Sequence, residues 1–415
     1  MSRPTPLDLN AAARGRPLLL VTGIVLIAAC LRAPFTSAAP LLNPIRESFG
    51  LGTTQAGMLT TLPLLAFAAV SPFGARLARA FGFERALFGA LLLIMGGIAL
   101  RSFNAVACLY LGTAVLGGGI AIGNVLLPGL LKRDYPDKIA LLTSAYALTM
   151  GTAAALGSAV MIPLVNGAGL SWPLALGLLI ILPLLAAIGW LPQLRSPRRE
   201  LVQMAPSRSV KAGAVGDGAA RRPAAGRIWS SRLAWLVTLF LGFNSFIYYV
   251  IVSWLPAILI AAGYSPAQAG SLHGLMQLTS ALAGLLVGPV AGRMRDQRVI
   301  ALGVSLLCLL ALAGLALYPA LAVLWTALFG FGSGAAIILG LMFVSLRVHT
   351  SHQAAALSGM AQCVGYLLAA TGPILIGALR DAAGNWESAL LMCAALCLVM
   401  AWLGMLAGRN RQIPD

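Results

Sequence analysis

Charge is scarce in this 415-residue chain, and negative charge is scarcest: 9% of residues are charged, with 11 Asp or Glu against 28 Lys or Arg. None of the eleven acids falls well inside an apolar run; eight lie in segments on one side of the chain's spans, and Glu47, Asp381 and Glu387 on the other. That removes the buried carboxylate that many proton-driven membrane proteins titrate. HExxH, GxSxG and GKS/T phosphate-loop motifs are also missing, so enzyme chemistry has little to stand on. Cysteine is sparse, and all six (30, 108, 308, 363, 393, 397) lie in apolar runs. This placement argues against disulfides and against a metal site, and Cys393 and Cys397, which share a helix face, read as packing. No cofactor is expected.

Apolar sequence is what the chain has in abundance. It is 60% hydrophobic with a mean hydropathy of +0.91, more than a soluble core of this size requires. A helix needs roughly 20 apolar residues to cross the hydrocarbon. Such runs place spans at 17–38, 54–74, 85–102, 105–130, 138–163, 171–192, 233–258, 266–290, 298–318, 321–346, 354–379 and 386–407. The fold class is therefore an all-α membrane protein with twelve transmembrane helices. The first run exceeds the ~7–15 apolar residues of a cleavable signal core. Trp172, Trp190, Trp229, Trp235, Trp254 and Trp386 fall near span ends, where an interfacial belt is expected.

The net charge of +17 raises the question of nucleic acid. Its placement answers it. With the N-terminus inside, the tails and the even-to-odd connections hold 24 of the 28 Lys and Arg, and only Arg32, Arg46, Arg101 and Arg380 fall elsewhere. That is the positive-inside bias, with both termini cytoplasmic, and no compact basic domain remains to bind nucleic acid. Residues 195–231 are basic, rich in Gly, Ala and Pro, and aperiodic. They read as a flexible cytoplasmic tether, with anionic lipid as a weaker reading. The chain then divides into a tail (1–16), a six-helix bundle (17–194), the linker (195–231), a second six-helix bundle (232–408) and a C-terminal tail (409–415).

The halves look duplicated. GLGTTQAG (50–57) aligns with GYSPAQAG (263–270) at an offset of 213, which also lays Gly117 on Gly330 and Gly119 on Gly332. Thr53 and Ser265 are candidate N-caps. Small residues in GTAVLGGGIAIGNVLLPG and GFGSG permit close helix approach. A carrier made of two similar halves holds its site where they meet, near the midplane.

Arg32, in ACLRAPFTSAAP, is the single charge near a span centre. Burying it costs about 2.5–3.5 kcal/mol on insertion scales, and it stays protonated at ordinary pH. It must face water, carbonyls or an anion. One reading is a planar fork for a small anionic or electron-rich planar solute; the other is a bond to a neighbouring helix that holds the halves together. Asn244, Tyr248 and Tyr249 occupy the equivalent stretch of span seven. Asn124 and Gln362 are polar and intramembrane, and each is a candidate lining residue. His273 is the histidine deep in a span and the candidate for protonation, with a neutral bonded ring as the other reading. Gln277 lies one turn further on the same face.

LRAPFTSAAPLL (31–42), GGGIAIGNVLLPGLLKRDYP (117–136), GYSPAQAGSLHGLMQL (263–278), FGFGSGAAIILGL (329–341) and AALSGMAQCVGYLLAATGP (355–373) resemble the cyanate permease / 2-nitroimidazole transporter family of the major facilitator superfamily. GNVLLP and SLHGL favour the nitroimidazole branch. The resemblance implies two pseudo-symmetric six-helix bundles, alternating access and small planar nitrogen-containing substrates. It maps the family arginine onto Arg32 as an expected substrate contact. One stretch departs from the superfamily pattern. The loop after span two reads GARLARAFGFER (74–85), with the glycine spacing one longer and the usual aspartate missing; its counterpart is GRMRDQR (292–298). Arg76, Arg79, Arg85 and Arg293 are candidate gating cations there, against a plain positive-inside loop. The expected function is secondary-active export of nitroimidazole-like solutes, as a monomer in the bacterial inner membrane. Small-molecule substrate, protons and lipid are its partners. Uptake of cyanate or another small anion is the alternative, and a non-transporting membrane scaffold or enzyme a more distant one.

Overall fold

The computed structural model describes residues 20–70, 73–135, 139–194, 225–349 and 351–413. Among them there is no strand, and twelve segments are long and apolar enough to span a membrane. We number them α1 (Leu20–Phe49), α2 (Thr53–Val70), α3 (Gly74–Arg101), α4 (Val106–Asp134), α5 (Ile139–Ile162), α6 (Trp172–Leu194), α7 (Arg232–Ala261), α8 (Pro266–Arg293), α9 (Arg298–Leu317), α10 (Ala322–Leu346), α11 (Ser351–Ala383) and α12 (Glu387–Ala407). The end of the molecule with the α1–α2 and α7–α8 turns is called the loop face here, and the opposite end the linker face. The tail 1–16 and most of the 195–231 tether lie outside the described residues. The last part of that tether, Ala225–Ser230, is a short helix packed on α11, with Ile228 buried.

Within each half, helices pack as the repeat predicts. Gly117 of α4 lets the backbone of α2 approach so closely that a Cβ there would lie 2.6 Å from the Cα of Pro63. Gly330 of α10 does the same against α8, where a Cβ would lie 2.3 Å from the Met276 carbonyl oxygen. Pro63 and Met276 are themselves separated by the same offset. The bundles meet along two swapped seams, α2 against α11 and α8 against α5. A Cβ on Gly57 would lie 2.8 Å from the Pro373 carbonyl oxygen, and one on Gly270 3.3 Å from that of Ser158. The Thr61 hydroxyl donates to the Ala370 carbonyl at 2.8 Å, and the Thr54 hydroxyl to Asp381 at 3.4 Å. All these contacts lie in the loop-face half, which is therefore shut. Towards the linker face, Gly359 and Gln362 of α11 are exposed.

Three expectations are corrected. The first span does not end at 38 but runs to Phe49, because it breaks at Arg32 and resumes through short helical turns, Ala33–Thr36, Ala39–Leu41 and Leu42–Phe49. Pro34 and Pro40 lack the N–H that a continuous helix needs. Four of the six tryptophans assigned to an interfacial belt are buried inside the protein. Indole N–H groups satisfy carbonyls there, from Trp190 to Glu84 at 3.1 Å and from Trp254 to Pro373 at 3.0 Å; only Trp229 and Trp235 of that set are exposed. Ser265 caps α8 with a reciprocal bond to Gln268, but Thr53 is already the first helical residue of α2. There Gln55 accepts from the Gly52 N–H instead. The six cysteines are free thiols.

Candidate functional site

The break in α1 builds the site. At Arg32 the backbone leaves helical geometry (φ −133°, ψ −45°), and its carbonyl accepts from the N–H groups of Phe35 and Thr36 at 3.1 Å each. The Pro34 carbonyl takes a 2.8 Å bond from Nη1 of Arg101, a buried arginine at the end of α3. Irregular backbone at membrane depth is tolerated where protein groups satisfy it, and Arg101 does that here. In the sequence Arg101 looked like a mere exception to the charge bias.

With its backbone pinned, Arg32 points across the bundle interface. Its Nη2 donates to the hydroxyl oxygen of Tyr248 on α7, and its guanidinium carbon lies 5.0 Å from the centre of the Tyr248 ring. The Tyr248 hydroxyl donates in turn to Oε1 of Gln277 on α8 at 2.5 Å. Gln277 lies eleven residues into α8, hence ~17 Å along it at 1.5 Å per residue, which is mid-depth. Arg32 is half-buried, and Tyr248 is its one hydrogen-bond partner among the described residues. No carboxylate among the described residues pairs with it.

Aromatic rings wall this space. Phe35 meets Tyr249 edge-on at 6.0 Å, Tyr248 meets Tyr249 at 5.3 Å, and Phe67 of α2 meets Tyr366 of α11 at 5.4 Å. Tyr249 and Tyr366 stand within electrostatic range of Arg32, and Tyr146 of α5 lies near Tyr366. Phe35, Phe67, Tyr146 and Tyr366 escaped the sequence reading. Tyr366 sits one turn beyond Gln362 on α11, and that spacing was the available signal.

Of the predicted residues, Arg32, Tyr248, Tyr249 and Gln277 converge. The others do not join them. Asn244 is buried in a reciprocal pair with Ser333 of α10, at 3.3 and 3.2 Å, so it clamps two helices of one bundle. His273 is fully buried, with Nε2 3.0 Å from the Val252 carbonyl. A carbonyl only accepts, so Nε2 carries the proton, and Nδ1 is buried without a partner. Gln362 is exposed and bonded to Ser358 on its own helix at 3.0 Å. Asn124 is half-buried beside Gly123, which packs on Leu31, and no hydrogen bond among the described residues reaches it.

At the linker face, Arg85 and Arg293 are exposed on α3 and at the last turn of α8. Arg76 and Arg79 lie in the first turns of α3, and their side chains are outside the described set. The ion pairs seen there involve other residues. Arg133 of α4 reaches Glu84 at 2.5 Å and Asp134 at 2.8 Å. Partial burial opposes its charge, but the bonds it donates to Asp134 and Glu84 outweigh that and hold the guanidinium above its usual range. In the second half, Gln297 stands at the repeat position of Glu84 and accepts from Arg347 at 2.5 Å. Asp296 is held below the usual carboxylate range by the side-chain bond from Arg298.

Residues 24–370 and 263–414 match the Major Facilitator Superfamily. The chain belongs to that superfamily. It is 56% identical over 397 residues to the 2-nitroimidazole transporter of Escherichia coli, covering 95% of this chain and 97% of that one. It is 29% identical over 371 residues to the E. coli cyanate transport protein, covering 89% and 91%. The cyanate permease / 2-nitroimidazole transporter group is thus its place within the superfamily. Its fold is shared with a bacterial homolog of the human lysosomal transporter Spinster, at 14% identity and a TM-score of 0.73, covering 96% of this chain and 99% of that one. This superfamily member is therefore a multi-pass membrane transporter of a small molecule, not an enzyme, with twelve helices in two pseudo-symmetric bundles.

Proposed function

We propose that this transporter is a secondary-active carrier that exports small planar nitrogen-containing solutes of the 2-nitroimidazole kind by alternating access. The observation that carries the reading is Arg32: a permanent cation at mid-depth between the bundles, bonded to one neutral hydroxyl, with aromatic rings around it and no carboxylate paired with it among the described residues. A planar solute stacks on the rings while its acceptor atoms take the guanidinium fork. The relative named for 2-nitroimidazole supports this substrate class. The basic segments support a cytoplasmic linker face in a bacterial inner membrane, and the cross-bundle contacts near the loop face support a site that opens inward. The working unit is a monomer, with lipid around it. Where transport is coupled to protons, the coupling runs through His273 or through the substrate's own protonation. Counterflow of labelled 2-nitroimidazole in proteoliposomes tests the site. Arg32→Ala is expected to lower it at least tenfold, and wild-type flux in that variant removes Arg32 from the binding role.

A second reading, uptake of cyanate or another small anion, is favoured by the lack of a counter-charge at Arg32. A full anion requires the charge, so Arg32→Lys retains part of its transport and Arg32→Gln none. A neutral solute tolerates Gln.

A further inference from the structure

The contact between Arg32 and Tyr248 joins the two bundles. Arg32 belongs to α1 and Tyr248 to α7, and this bond lies deeper than the cross-bundle bonds of Thr54 and Thr61 on the α2–α11 seam. We propose that Tyr248 is a surrogate ligand: its hydroxyl holds the substrate's place on Arg32, and a fork of acceptors or an anion displaces it. This deepens the reading of Arg32 as the binding residue and rests on it.

Three features support the idea. First, the Tyr248 proton is committed to Gln277 at 2.5 Å, so its oxygen presents lone pairs to Arg32. Gln277 is thus a positioning residue that sets the polarity of the hydroxyl. Its own Nε2 is buried without a partner among the described residues. Second, the Arg32–Tyr248 bond is supplemented by the guanidinium's position over the Tyr248 ring, 5.0 Å from its centre. Third, no acidic side chain competes for the cation among the described residues. A hydrogen bond with one ionised partner is strengthened about twofold over a neutral one, and bidentate geometry adds to it. A nitro group or an anion offers a fork of acceptors and outcompetes one phenol oxygen. A solute with one neutral acceptor engages a single N–H, forms no fork on the guanidinium and leaves the bundles joined. The selected class is therefore planar solutes with a two-oxygen fork or an anionic acceptor, and binding breaks a bond that ties the halves together.

The test uses the full-length purified protein, with binding of 2-nitroimidazole and of imidazole, the same ring without the fork. The wild type is expected to bind 2-nitroimidazole and to show no imidazole binding. Tyr248→Phe, which keeps the ring and deletes the acceptor, is expected to bind 2-nitroimidazole about tenfold more tightly, equivalent to about 1.4 kcal/mol, and to bind imidazole measurably. Gln277→Leu leaves Tyr248 in place but frees its proton, and should shift affinity in the same direction by less. The effect of Tyr248→Phe should vanish in an Arg32→Ala background. Weaker 2-nitroimidazole binding in Tyr248→Phe, with Arg32→Ala also weakened, makes Tyr248 an ordinary substrate contact and overturns the surrogate while leaving the site intact. Wild-type binding in Arg32→Ala overturns both.

Discussion

Arg101 is buried to 2% exposure, and two of its nitrogens, Nε and Nη2, have no partner among the described residues, yet it is held against the Pro34 carbonyl. Its substitution separates support of the site from contact with the substrate. Arg101→Leu leaves that carbonyl unbonded and is expected to destabilise the protein by about 1–3 kcal/mol, read as a fall in the unfolding midpoint in detergent. Tyr366→Ala removes one wall of the site and is expected to weaken 2-nitroimidazole binding by up to about tenfold, from the ~0.5–1.5 kcal/mol of an aromatic pair. Asn244→Ala should do the reverse: lower stability, because Ser333 loses its partner, with affinity unchanged. An affinity loss in Asn244→Ala comparable to that in Tyr366→Ala would return Asn244 to the site. His273→Ala under an imposed pH gradient decides the histidine's role, since unchanged flux leaves it as the strut between α7 and α8 that its bond to Val252 describes. Arg32 was legible at this scale because an isolated charge in an apolar run needs a reason. Tyr366 and Arg101 were not, because their meaning depends on partners on other helices: Phe67 and Pro34.

The swapped seams make a prediction at the level of helices. Gly57 lets α2 close on α11, and a Cβ there meets backbone, not a flexible side chain, at 2.8 Å. Gly57→Val should therefore prop the loop face open. Cysteine probes placed on the loop-face half of α11 should label faster than in the parent protein, and transport should fall. Gly117→Val is the control, because its crowding against Pro63 lies within one bundle. It should lower stability by about 1–3 kcal/mol, the usual range for overpacking, without faster labelling. Equal labelling in the two variants would mean that the α2–α11 seam does not gate access. At this scale the sequence identified the repeat through matched glycines. It could not say that Gly117 stays within its half while Gly57 crosses to the other, because both are small residues in apolar helices.

For the whole molecule, the charge distribution predicts orientation. Cysteines introduced beside Arg293 and beside Gly263 should differ in reaction with a membrane-impermeant reagent on intact cells, the Gly263 position labelling and the Arg293 position protected. The reverse pattern would overturn the cytoplasmic assignment of the linker face and the inward-open reading above. Twelve spans, two halves and a sparsely charged interior followed from the amino-acid order alone. Crossing hydrocarbon is a local requirement, met by about 20 apolar residues whatever the neighbours do. The break that carries α1 on to Phe49, the burial of Trp190 and Trp254, and the joining of Arg32 to Tyr248 and Gln277 needed the folded chain. Each depends on which face of one helix meets which face of another. In hydrocarbon, every face is apolar enough to look alike until a hydrogen bond or a missing Cβ chooses the partner.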